Sequence, residues 1–228
     1  MTFTDGAQCT ANFVFTDGTS SYIGQAAHCA STGNNTATNG CTTGSQPLGT
    51  SIGIKGASRP GTLVYSSWLA MQAVREGDPN ACAYNDFALI RIDPVDFGRV
   101  DPSIPFFGGP VGLNTTGTSI GRNVFSYGNS SLRLGASALS PKRGKSLGDG
   151  AGGWTHTVYT VTPGIPGDSG SAFLDKNGLA LGVLSTVELA PRTGSNGVGD
   201  LGRELAYMHT HSFFGGVQLV LGRPFRSR

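Results

Sequence analysis

The 228-residue chain predicts an all-β fold, a sandwich or a pair of barrels, with a single late helix. Three observations point there. Charged residues are only 13% against 38% hydrophobic, which suits short strands joined by turns better than long charged helices. Apolar runs of strand length recur along the chain, punctuated by Gly, Pro, Asn and Asp. The length is that of one large all-β domain, long enough to bury a sizeable core.

Taken in order, Ala11-Asn12-Phe13-Val14-Phe15 alternates, Asp17-Gly18 is a tight-hairpin signal, and Tyr22 to Ala27 returns. Residues 30–62 are polar and turn-rich. Ser51 to Lys55 and Gly61 to Ser66 read as two strands, and Ser67-Trp68-Leu69-Ala70-Met71 as a third. Tyr84-Asn85-Asp86 leads into the apolar run Phe87 to Ile92. Prolines at 94, 102 and 105 then break the chain between its halves. Ser119 to Gly128 reads as strand then turn, and residues 140–153, rich in Gly, Lys and Ser, as a mobile loop. Trp154 to Val161 is a strand, and Ala172 to Ser185 a hairpin about Asp175-Lys176-Asn177-Gly178. Leu201, Leu205 and Met208 share one helical face, and Val217 to Leu221 is a last apolar segment.

A net charge of +2 and no basic stripe exclude a nucleic-acid partner; Pro141 to Lys145 reads as a solvated loop. No apolar run approaches the roughly 20 residues of a membrane span. Cys9, Cys29, Cys41 and Cys82 fit no zinc spacing, so no metal is expected, and an even number points to disulfides and an oxidising compartment. Three pairings exist. Cys9 and Cys29 flank the first hairpin near its open ends, so a bridge there is sterically reasonable and would leave Cys41 for Cys82. The start Met1-Thr2-Phe3 shows no apolar signal region, so any secretion signal is missing or removed.

Three segments carry chemistry. In Pro163-Gly164-Ile165-Pro166-Gly167-Asp168-Ser169-Gly170-Ser171, a serine between glycines suits a strained turn that presents one hydroxyl and leaves backbone N–H groups open. The amides of Gly167 and Ser169 are the candidate oxyanion donors. Ala26-Ala27-His28-Cys29 holds an imidazole beside a disulfide with little bulk around it, as a general base requires. Asp86 stands at the mouth of a buried strand, where a carboxylate needs a partner such as a histidine N–H.

In their chain order, His28 then Asp86 then Ser169, the three segments resemble the signature motifs of the chymotrypsin/trypsin-like serine proteases, and the compact start resembles the secreted bacterial, actinobacterial-type branch. The resemblance covers the whole chain in outline. It implies two six-stranded antiparallel β-barrels with the active site between them and a C-terminal helix. Residues 1–100 would form the first, with His28 and Asp86, and residues 101–228 the second, with Ser169. It implies a secreted, extracellular, monomeric endopeptidase without cofactor, with polypeptide substrates and protein protease inhibitors as partners. Ser169 would be the nucleophile, His28 the base, Asp86 its orienting acid, and Gly167 and Ser169 the oxyanion hole. Ser185 matches the serine that hydrogen-bonds the triad aspartate, and Ser185-Thr186-Val187 the edge that pairs with substrate. Cys9–Cys29 matches the family bridge beside the histidine; Cys41–Cys82 matches none.

The departures are specific. No Ile-Val-Gly-Gly-like start is present to pair with Asp168, which must find another partner. Ser171 replaces a usual glycine. Pro163 stands where a trypsin-like member carries an acid, and Val187 where a pocket-wall glycine is usual. Small or medium apolar side chains are the expected cleavage sites, unless Asp200 reaches the pocket. Two alternatives are an inactive homologue serving as a binding module and an α/β-hydrolase. The latter wants Gly-x-Ser-x-Gly, which Ser171 breaks.

Overall fold

The computed structural model describes residues 1–33, 38–187 and 194–227, with Val187 described by its backbone alone. The strands of the front half are β1 (Thr2–Thr4), β2 (Ala7–Cys9), β3 (Val14–Thr16), β4 (Ser21–Gln25), β5 (Ser51–Ile54) and β6 (Gly61–Ser66). Helices α1 (Ser67–Val74) and α2 (Pro79–Tyr84) follow, then β7 (Ala88–Arg91). The back half holds β8 (Asn123–Tyr127), β9 (Pro141–Gly150), β10 (Thr155–Thr160), β11 (Ala172–Leu174), β12 (Ala180–Val187), β13 (Asn196–Asp200), α3 (Leu201–His211) and β14 (Gln218–Leu219).

The back half closes as the expected six-stranded barrel, in the order β10-β13-β12-β11-β8-β9. The front half is an eight-stranded sheet, β14-β3-β4-β7-β6-β5-β1-β2, rather than a six-stranded one. Both extra strands have local causes. Asp5 and Gly6 take positive φ (46° and 83°) and fold β1 onto β2, an Asp-Gly turn whose flanking strands are only three residues long. At the other edge β14, from the end of the chain, pairs with β3 through Gln218↔Thr16 and Leu219↔Phe15.

Two expectations are corrected. Residues 67–71 open helix α1, not a strand: Trp68 and Met71, one turn apart, are the buried pair, and Arg75 ends the helix in the left-handed region. Residues 141–150 are not a mobile loop but barrel strand β9, bonded to both β8 and β10. Backbone pairing on both edges offsets the poor strand propensity of Gly, Lys and Ser. Strand β13, Asn-Gly-Val-Gly-Asp, has the same cause. A Cβ on Gly182 of β12 would stand 2.1 Å from the Gly199 carbonyl oxygen, so this close strand approach needs glycine.

Inside the barrel pack Val124, Val158, Phe173, Leu181, Leu184 and Val198. A second cluster under the front sheet includes Ile52, Leu63, Trp68, Met71 and Ile90. A third joins the halves: Phe13, Phe15 and Phe87 from the front, Phe107, Phe125 and Leu174 from the back, and Leu205 and Met208 of α3. The Cys9–Cys29 and Cys41–Cys82 bridges both form, with Cα separations of 6.2 and 5.1 Å.

Candidate active site

β4 ends at Gln25 and the chain turns into a single 3₁₀ turn, Ala27–Ala30, that carries His28. Ala26, Ala27 and Ala30 are fully buried, so the backbone beneath the imidazole is packed by small side chains. The Cys9 and Cys29 sulfurs and a His28 ring nitrogen lie within 4.8 Å of one another; both cysteines are in the bridge, so this is no metal-ligand set.

Asp86 lies between α2 and β7, fixed on both sides. The Ser67 hydroxyl donates to Asn85 O (2.8 Å) and accepts from Phe87 N (3.0 Å), and the Ala27 amide donates to Asp86 O (3.1 Å). The carboxylate is buried and accepts three bonds. Oδ1 takes the His28 amide at 2.8 Å, and Oδ2 lies 2.6 Å from His28 Nδ1 and accepts the Ser185 hydroxyl at 2.5 Å. With Nδ1 donating, Nε2 is left as the basic nitrogen. Burial lowers the His28 pKa, but the charge and hydrogen bond of Asp86 outweigh it, and the net shift is upward.

The Ser169 turn is clamped to the front half of the chain. Thr10 N donates to Ser169 O at 2.8 Å, and Gly170 N to Leu184 O at 2.7 Å. Gly170 has φ +86°, and a Cβ there would meet Thr10 O at 2.5 Å and Ala26 N at 3.1 Å, so the Ser169 turn passes directly under the segment leading to His28. Gly167 has φ +92°. Its carbonyl accepts Gln8 Nε2 (2.9 Å) and Thr10 Oγ1 (2.7 Å), while the Ser130 hydroxyl holds Pro166 O at 2.6 Å. The Asp168, Gly170 and Ser171 amides are all bonded, whereas those of Gly167 and Ser169 have no acceptor among the described residues. The Ser169 hydroxyl has no hydrogen-bond partner there either.

Asp168 finds its partner in Arg133, by paired bonds of 2.5 and 2.6 Å, with Lys142 Nζ 3.1 Å from Oδ2. Burial pushes its pKa up; the Arg133 bonds and the Lys142 and Arg133 charges outweigh it, and the pKa is lowered. Lys142, fully buried, spends its remaining donors on Thr162 O (2.9 Å) and Pro163 O (2.8 Å). The Ser171 hydroxyl donates to Asp168 O, closing the turn, which accounts for serine in a glycine position.

Ser185 sits at a register shift between Leu184↔Val198 and Thr186↔Gly197. Pairing of β12 with β11 ends at Ala172↔Val183, so no described residue pairs with the other edge of residues 185–187. The side chain of Val187 lies outside the described residues. Pro163 is exposed on the loop after β10. Both oxygens of Asp200 are engaged: Oδ1 caps α3 through Arg203 N (2.8 Å) and Oδ2 lies 3.0 Å from His156 Nε2. Sequence reasoning missed Ser67, Arg133, Lys142 and Glu204, whose Oε1 accepts the Asp86 amide at 3.1 Å. No local pattern marks any of them.

No protein-family model and no curated protein matches the chain. Solved structures do. Thermobifida fusca Protease A superposes with a TM-score of 0.59 at 18% identity, covering 97% of this chain and 96% of that one. Nocardiopsis protease gives 0.52 at 16%, covering 96% of each. The Cellulomonas bogoriensis chymotrypsin gives 0.51 at 18%, covering 93% and 91%. The chain has the fold of the bacterial chymotrypsin-like serine proteases.

Proposed function

We propose that the chain is a secreted serine endopeptidase acting through an acyl-enzyme intermediate. One observation carries the reading. Among the described residues the amides of Gly167 and Ser169 are left without acceptors in a turn whose other amides are bonded, and that turn packs against Ala26, two residues before the His28 that Asp86 and Ser185 hold. Ser169 Oγ attacks the substrate carbonyl while His28 Nε2 takes its proton. The oxyanion then collects the two unpaired N–H donors, a stabilisation worth about 10²–10³ in turnover per donor. His28 next gives its proton to the leaving amine, and water repeats the sequence on the acyl-enzyme. Asp86 keeps the ring in one tautomer and stabilises its charged form. Extended substrate pairs with the edge of residues 185–187.

Specificity follows from charge. Arg133 and Lys142 place two cations against the single carboxylate of Asp168 below the Pro163–Pro166 loop, and Asp200 is committed to α3. Among the described residues neither acid is left to take Arg or Lys, so small or medium apolar side chains are the preferred cleavage sites. Two disulfides and an open strand edge fit an extracellular monomer acting on polypeptides.

Hydrolysis of an unfolded polypeptide tests the reading: Ser169→Ala lowers kcat by about a millionfold, to the level left by binding alone. A peptide-library profile dominated by Arg or Lys overturns the specificity. Binding without hydrolysis by the unaltered protein identifies a binding module instead.

A further inference from the structure

Behind the Asp86–His28 pair lies an acid that the mechanism above does not use. Glu204, in the first turn of α3, is 0% exposed. Oε1 accepts the Asp86 amide at 3.1 Å, and Oε2 has no partner among the described residues. Gly199 of β13 makes its room: a Cβ there would stand 2.4 Å from Oε1. The titratable groups facing it are Asp86 in front, Asp200 at the end of β13, and the Tyr65 hydroxyl of β6. None of the three is a cation.

A carboxylate in that place would be a second buried anion beside Asp86, with one amide donor and one bare oxygen. The neutral acid avoids this cost, since one oxygen accepts the amide and the other keeps its proton. We infer that Glu204 is a positioning residue held as the uncharged acid, fixing the backbone of Asp86 behind the His28 ring and tying α3 to the catalytic pair. The inference rests on the peptidase reading, in which Asp86 orients the base.

Burial, then the charges of Asp86 and Asp200, push the Glu204 pKa well above its ordinary value, against the pull of the Asp86 amide. For a group with a raised folded pKa, the stability it contributes is complete below the unfolded pKa and is lost as pH rises through the folded one. Solvating the new anion requires α3 to move off Asp86, which releases the amide and loosens the carboxylate.

The test is kcat and KM against pH for the wild type, Glu204→Gln and Glu204→Leu, with thermal melts over the same range. Glu204→Gln keeps an oxygen for the Asp86 amide and cannot ionise. It retains wild-type kcat at neutral pH within about twofold and loses the alkaline fall in kcat, and its Tm advantage over the wild type grows with pH. Glu204→Leu keeps the volume without the acceptor and lowers kcat about tenfold at every pH with KM unchanged, the effect of one lost positioning hydrogen bond. If the leucine variant fails to fold, the glutamine variant carries the test alone. An alkaline limb of Glu204→Gln that superposes on the wild type, or wild-type kcat in a folded Glu204→Leu, overturns the inference. Absence of hydrolysis in the wild type rejects the peptidase reading instead. The melts then decide for Glu204, and identical pH dependence of Tm in wild type and Glu204→Gln overturns its uncharged state.

Discussion

Asp168 shows how single side chains hold the Ser169 turn. Its carboxylate organises Ile165 N (3.2 Å), and its carbonyl accepts both the Ser171 amide and hydroxyl. Two cations fix that carboxylate from the outside, where a buried charge stripped of one partner costs about 3–5 kcal/mol. Lys142 remains when Arg133 is lost, so Arg133→Met sits at the low end: a destabilisation of about 3 kcal/mol, read as a Tm fall of roughly 6–12 °C. Hydrolysis falls with it, because the turn that presents Gly167 and Ser169 N–H groups is released. An unchanged Tm and unchanged kcat would show that Lys142 alone suffices. The His28–Asp86 pair and the tight turn at Ser169 could be expected from the chain because each lies in a short segment of unusual local chemistry. Arg133 is 35 residues from Asp168, and Glu204 is 118 from Asp86. Partners that far apart become neighbours only through the fold, and an isolated Arg or Glu carries no mark of it.

At the level of elements, two strands lack the apolar alternation by which strands are read. Strands β9 and β13 are built by pairing on both edges, so glycine and lysine serve where apolar alternation was sought. In α1 the five residues read as a strand are too few to separate a period of 3.6 from one of 2. The late helix, longer and with a clear apolar face, was legible. Its N-terminus is joined to the barrel by buried His156 of β10, which sits between Asp149 of β9 (2.7 Å) and Asp200, the α3 cap (3.0 Å). Burial lowers the pKa of His156, and the hydrogen bonds and charges of the two carboxylates outweigh it, so the shift is upward. The stability it supplies is therefore complete below the ordinary histidine value near 6.5 and is lost as pH rises through its raised folded value. His156→Gln flattens this part of the Tm–pH curve. The Glu204 decline starts lower, in the ordinary carboxyl range, so the two variants separate. Parallel curves for His156→Gln and wild type would reject the link.

For the whole molecule, the two sheets are one body. The Thr10 amide and Gln8 side chain reach the Ser169 turn, and Ser185 reaches Asp86. The chain end returns to the front sheet at β14 and packs Phe225 on Phe125, centroids 5.2 Å apart. Turn spacing left a sandwich or a pair of barrels, and the family resemblance implied the two barrels. The eight-stranded front sheet did not, since its outermost strands are two or three residues long. The proposed function requires this assembly to bring the His28 imidazole of one half to the Ser169 hydroxyl of the other. A sulfonyl fluoride, followed by intact-mass measurement, tests this most directly. One adduct per chain should form at Ser169, at a rate that rises with pH through an ionisation above the usual imidazole value, and His28→Ala should slow it by at least about a hundredfold. No adduct on the unaltered protein, or an equal rate in His28→Ala, would contradict it.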